Sequence, residues 1–307
     1  MTGLLARPRL IGALCATGAV GLGLLYLTLA GAPSRALLVN LAALLLGLGA
    51  WGALGRARST GPWASGVAVA LLAAALLATA LFGMSVEGAS RWVNVAGLSV
   101  QVSLVTVPVL VTLFARRANA IGAAGVVAAA FALAAQPDRA MAGVLAGCMA
   151  TLALAQPRRL LVAPILASMA AFVWTMLRPD DLPAVPYVDG VLYSAFSAHA
   201  LAGGAVVAGS ALLLVPALSG AARLSAERHV VLVFGAAWAG IILAAALGNY
   251  PTPLVGYGGS AILGYLLSAG LLPGGVASTT VTSAAASAGS AHRPAVDGLE
   301  MAQPARG

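Results

Sequence analysis

The chain has 307 residues, 61% of them hydrophobic and 8% charged. A soluble domain carries about a quarter charged residues, and single cores stop growing near this length, so a soluble enzyme, a nucleic-acid binder and a disordered protein are all excluded and a bilayer is the solvent that fits. The net charge of +8 comes from sixteen arginines, with no lysine, against eight carboxylates, and its meaning depends on where the arginines fall.

Ten apolar runs predict ten membrane-spanning helices, over 10–30, 37–54, 63–84, 98–115, 118–135, 140–155, 160–177, 190–216, 230–247 and 256–272. Their lengths bracket the roughly 20 residues that cross a bilayer. The first run, ending in Leu-Ala-Gly-Ala, has the outline of a secretory signal. It is long and the next run follows at once, which favours a retained helix. Cys15 and Cys148 both lie in apolar runs, which excludes a disulfide framework or a zinc cluster. Beyond Pro273 the chain turns to Ala, Ser, Thr and Gly, which predicts a membrane domain over 1–273 and a disordered tail over 274–307.

The arginines orient the spans. With the N-terminus inside, the inner turns hold Arg7, Arg9, Arg56, Arg58, Arg116, Arg117, Arg158, Arg159, Arg223, Arg228, Arg293 and Arg306. The outer turns hold Arg35, Arg91, Arg139 and Arg178. This is the asymmetry of the positive-inside rule. Among the carboxylates, Glu87, Asp138, Asp180, Asp181 and Asp189 fall outside, and Glu227, Asp297 and Glu300 inside. The expected fold class is all-α: a polytopic membrane helix bundle of about ten transmembrane helices, with both termini cytoplasmic.

Four polar clusters lie at the outer ends of the spans. The first is Glu87-Gly88-Ala89-Ser90-Arg91-Trp92-Val93-Asn94, with Gln101 and Ser103 just beyond. Trp92 and Arg91 suit an interfacial anchor, or Arg91 meets an anionic phosphate with Gln101 and Ser103 donating nearby. The second, Gln136-Pro137-Asp138-Arg139, reads as an ordinary helix start with Asp138 near the positive dipole end. The third is the acidic, proline-rich stretch 178–189. Asp180 and Asp181 read as a solvated turn, whereas Asp189 abuts an apolar helix, where partial burial raises a carboxyl toward a general base's range. His199, about 15 Å further along that helix, is an intramembrane candidate on a different face. The fourth is Tyr250-Pro251-Thr252-Pro253-Leu254-Val255-Gly256-Tyr257-Gly258-Gly259-Ser260. Without a lysine it is no P-loop. It implies a broken or re-entrant start to the last span, for which close packing and cavity lining are equally open.

In order, these clusters resemble the SEDS (FtsW/RodA/SpoVE-like) family of shape, elongation, division and sporulation proteins. Gly88, Ala89, Arg91, Trp92, Gln101 and Ser103 match the spacing of its motif around the fourth helix, and Gln136-Pro137-Asp138 looks like its Gln-Pro-Asp. The 251–260 stretch is similar to its Pro-Leu-Pro-x-x-Ser-Tyr-Gly-Gly-Ser. The resemblance implies a glycosyltransferase of the bacterial cytoplasmic membrane. Such a protein polymerises lipid II, or a related undecaprenyl-linked precursor, on the outer face, in division or cell-shape control, with a class B penicillin-binding protein as partner. Asp189 matches the family's catalytic aspartate, with Gly203 at the family glycine fourteen residues on. The implied substrate-binding residues are Arg91, Trp92, Gln101, Ser103, Asp138, Tyr257, Gly258, Gly259 and Ser260. No cofactor is implied, no nucleic acid is a partner, and assistance by a divalent metal is left open.

Several family positions are filled differently. Leu104 and Val107 stand where the family has Glu and Lys, Ser197 and Ala198 where it has paired Glu, and Arg139-Ala140 where it has Leu-Gly. The loop before the eighth helix is cut to about a dozen residues. Glu and Lys are absent together, so neither charge is left buried alone. The alternative reading is therefore a non-catalytic scaffold that binds a penicillin-binding protein or lipid II. A lipid-linked precursor transporter fits less, since the spans offer almost no charge apart from His199.

Overall fold

The structure, a computed structural model, describes residues 7–56, 61–180, 182–222 and 226–274. Arg58, Asp181, Arg223 and all of the expected tail except Gly274 lie outside the described residues. Every expected span has a helix. The first three are α1 (Pro8–Leu29), α2 (Ser34–Arg56) and α3 (Pro62–Phe82). Proline opens α1 and α3, where its missing amide costs no helical hydrogen bond. Then come α4 (Val102–Arg116), α5 (Ala120–Ala135), α6 (Arg139–Ala155) and, after a short 3-10 turn, α7 (Val162–Met176). The eighth span is α8 (Val191–Ala198), α9 (Ala200–Leu212) and α10 (Val215–Ala221), followed by α11 (Arg228–Leu247) and α12 (Gly259–Gly270). Six helical stretches are long and apolar enough to cross a bilayer, with Arg159–Met176 and Ala200–Ala221 each taken as one, and α4, α5, α6 and α12 are shorter apolar helices. The protein is a polytopic membrane bundle.

The eighth and fourth spans depart most from the expectation. The run 190–216 is not one helix: it breaks at His199, whose extended backbone ends α8 and whose Nδ1 accepts the Leu201 amide at 3.0 Å to cap α9. The fourth helix begins at Val102 rather than at 98, because the outer turn before it folds as a sheet. Strands β1 (Met84–Val86), β2 (Ala89–Val95) and β3 (Leu98–Gln101) pair antiparallel in the order β1-β2-β3. Glu87-Gly88 and Ala96-Gly97 make the two turns, and all four residues have positive φ, the two-residue geometry that matches strand twist.

Small residues let the helices close. α3 lies against α5, α6 against α11, α2 against α12 and α1 against α9. A Cβ on Gly12 would stand 2.8 Å from Ala269, and one on Gly264 would run into the Leu104 carbonyl oxygen. This is the close backbone approach that replaces the hydrophobic effect as the packing force in lipid. Phe234, Trp238 and Tyr265 form an edge-on aromatic cluster between α11 and α12, with Trp238 and Tyr265 centroids 4.9 Å apart. Gly270 lies against Trp51 and Leu54 near the end of α2. The end of α12 therefore shares the Arg-rich end of the bundle with the start of α1.

Candidate functional site

The sheet carries Arg91 inward at the Arg-poor end. Its side chain is 2% exposed, and Nη2 donates to Asp180 Oδ1 at 2.8 Å and to the carbonyl of Pro137. Asp180 Oδ2 accepts the Tyr250 hydroxyl, and the guanidinium lies 6.0 Å from the Tyr250 ring centroid. Burial and the adjoining Asp180 carboxylate raise the Tyr250 hydroxyl above its ordinary pKa, while the charges of Arg91 and Arg139 pull it back. Arg139 donates to the Arg178 carbonyl at 2.7 Å, and Arg178 stacks on Trp174 at 4.7 Å. A cleft of about 180 Å³ opens here between Glu87, Pro137, Arg178, Asp180 and Leu182. Asp180 is thus a buried counterion, not part of a solvated turn. Its position and that of Tyr250 follow from the tertiary fold, and the signal in sequence was only that the acidic stretch is opposite an arginine.

Asp138 answers to its reading as a helix start. It is fully buried, Oδ1 caps α6 by accepting the Met141 amide at 3.2 Å, and Oδ2 accepts the Ser103 hydroxyl at 2.7 Å. Gln101 donates to Ser103 at 3.3 Å, and the Gln101 amide donates to Ser260 Oγ at 3.0 Å. Gln101, Ser103, Asp138 and Ser260 are therefore brought together as a buried polar thread tying α4, α6 and α12. Gln101 Oε1 has no partner. Trp92 is half-buried on β2, opposite Gln101.

Asp189 is half-buried at the foot of α8. Its Oδ2 accepts the Val185 amide at 2.8 Å, and it forms a β-bridge with Pro251. Burial pushes its carboxyl above the ordinary value, against the smaller opposite pull of the Val185 hydrogen bond. The Thr252 amide donates to the Val188 carbonyl at 2.9 Å and that of Tyr257 to the Tyr187 carbonyl at 2.7 Å. Asn40, a polar residue in the second span that sequence reading passed over, grips the same stretch. Its Nδ2 donates to the Gly256 carbonyl at 2.8 Å and its Oδ1 accepts the Gly258 amide at 3.0 Å. Gly258 has φ +153°, open to glycine alone, and a Cβ on Gly259 would stand 3.1 Å from Ala43. The 250–258 segment is thus buried irregular backbone, with Tyr250 turned toward Arg91 and Asp180 and Pro251 toward Asp189. Among the described residues no group of three His, Cys, Asp or Glu could hold a metal.

No family model matches the chain, and no curated protein does. Solved structures do. The Rod shape determining protein RodA of Thermus thermophilus superposes with a TM-score of 0.59 at 20% identity, over 85% of this chain and 93% of that one. An aspartate-to-alanine mutant of the same protein gives 0.56 at 23%, over 85% and 94%. The fold is RodA-like. Within this RodA-like bundle Leu104 and Val107 are core residues, 4% and 0% exposed, so the positions at which the family resemblance sets Glu and Lys are filled by apolar packing. Ser197 and Ala198 are exposed beside the break at His199.

Proposed function

We propose that the protein is a divergent SEDS-type glycan polymerase acting on lipid II, or a related undecaprenyl-linked precursor, at the outer face of the bacterial cytoplasmic membrane. The observation that carries the reading is that segments 178–189 and 250–257 meet at the Arg-poor end, where Asp180 pairs with Arg91 and Tyr250 and Asp189 is bridged to Pro251. Asp189, raised in pKa by burial, has no hydrogen bond to Oδ1 among the described residues and suits a general base. It takes the proton from the acceptor sugar hydroxyl, whose oxygen bonds to the donor's anomeric carbon as the bond to the lipid pyrophosphate breaks. Arg178 lines the cleft, Arg139 donates to its carbonyl, and Arg91 pairs with Asp180. A pyrophosphate entering there meets positive charge that substitutes for the missing lysine of the fourth helix. A class B penicillin-binding protein is the expected partner, in division or cell-shape control.

A second reading is favoured by one specific observation: Arg91 is already neutralised by Asp180. In that reading the chain is a non-catalytic scaffold that holds a penicillin-binding protein, lipid II or both. The experiment that separates them is reconstitution in liposomes with fluorescent lipid II and separation of the glycan products. Polymer from the wild type but not from Asp189→Ala supports the polymerase. Lipid II capture without polymer in both proteins supports the scaffold.

A further inference from the structure

A second polar junction lies at the Arg-rich end, apart from the site above. His229, one residue into α11, contacts Gln156 Nε2 through Nδ1 at 2.9 Å and the Ala115 carbonyl through Nε2 at 3.1 Å. A carbonyl only accepts and an amide nitrogen only donates, so the ring is the neutral tautomer with its proton on Nε2. The imidazole thereby ties the end of α4 and the end of α6 to the start of α11. Each of these three ends carries arginine: Arg116 and Arg117 follow Ala115, Arg158 and Arg159 follow Gln156, and Arg228 precedes His229. Glu227 is the carboxylate among them.

Beside this junction opens a cleft of about 540 Å³, lined by Thr151, Leu154, Gln156, Arg228, His229 and Leu232. Its walls differ in character. Leu154 is 88% exposed and, with Leu232, offers an apolar side, while Arg228 is exposed at the polar side. The positive-inside rule explains arginines at this end. It does not explain their collection by one histidine at a cleft with one greasy wall.

We propose that this cleft binds an anionic phospholipid of the Arg-rich leaflet, its phosphodiester held by Arg228 with the charge of Arg158 acting beside His229, and an acyl chain lying along Leu154 and Leu232. Guanidinium groups suit phosphate oxygens geometrically as well as electrostatically, and basic pockets between helices at this leaflet attract anionic headgroups. The site is independent of the polymerase reading, because no residue of the Arg-poor end takes part.

The test is native mass spectrometry of the full chain released from vesicles containing phosphatidylglycerol and phosphatidylcholine. The wild type retains phosphatidylglycerol preferentially. The Arg158→Gln/Arg228→Gln double variant loses that retention by roughly fivefold per arginine, while Arg56→Gln, at the same end but outside the cleft, leaves it unchanged. Inorganic phosphate in excess does not displace the lipid. Equal retention of the two lipids by the wild type, or an equal loss in Arg56→Gln, overturns the proposal. Displacement by phosphate does so too, since the site would then take free anions.

Discussion

The Arg91 guanidinium and the Asp180 carboxylate meet at 2.8 Å with side chains only 2% and 5% exposed. Removing one partner of such a pair leaves the other charge buried alone, which costs about 3–5 kcal/mol. Asp180→Ala and Arg91→Ala are each expected to destabilise by about that amount. The double variant should lose clearly less than the sum, since it leaves neither charge stranded. A double-mutant cycle on denaturant unfolding in detergent checks this, and strictly additive losses would show that the pair is not coupled.

Asp189 predicts two opposite pH trends. Its folded-state pKa is raised above the ordinary value of about 3.9, so the native state binds protons more tightly than the unfolded chain. The stability from this group is full below the unfolded pKa and declines as pH rises through the raised folded value. Polymerisation, which needs the carboxylate, rises through that same folded value. Asp189→Asn should flatten the stability slope and abolish the rate. A rate that falls with rising pH across this window would count against the base.

Much of this arrangement was legible in sequence, and the parts that were not have physical causes. Hydropathy finds all ten helical stretches because lipid demands apolar length, and the arginines sort the ends because translocation does. The sheet at 84–101 was missed although Glu87-Gly88 and Ala96-Gly97 carry a signal, a two-residue turn ending in glycine between short strands. The break at His199 was hidden because an apolar run has the same composition whether continuous or kinked. Asp189 stood out by its local setting. Asp180, Tyr250 and Arg139 did not, because their roles arise from segments far apart in the chain, such as Arg91 and Asp180, 89 positions apart.

Asp138 tests whether a family-matched residue acts in structure or in chemistry. Its two oxygens serve the α6 amide and the Ser103 hydroxyl with no exposure to solvent. Ser103→Ala should cost about 1–3 kcal/mol by leaving Oδ2 unsatisfied. Asp138→Ala adds the loss of the cap, about 1 kcal/mol more. Both effects belong to stability: at temperatures where the variants stay folded, the pH midpoint of any polymerase activity should match the wild type. A shifted midpoint would place Asp138 in the reaction.

Asn40 reaches the proposed base through backbone alone. Its single side-chain amide satisfies the Gly256 carbonyl and the Gly258 amide, and it is itself fully buried. That stretch in turn holds the carbonyls of Tyr187 and Val188, immediately before Asp189. Asn40→Ala leaves the buried Gly256 carbonyl and the half-buried Gly258 amide unpaired, so it should cost about 1–3 kcal/mol. Gly258→Ala, forced to keep φ near +153°, should cost about 1–3 kcal/mol. Hydrogen exchange measured by mass spectrometry should show faster exchange over both 250–258 and 185–189 in Asn40→Ala. Faster exchange in the first segment alone would mean that the loop bearing Asp189 is held by other contacts.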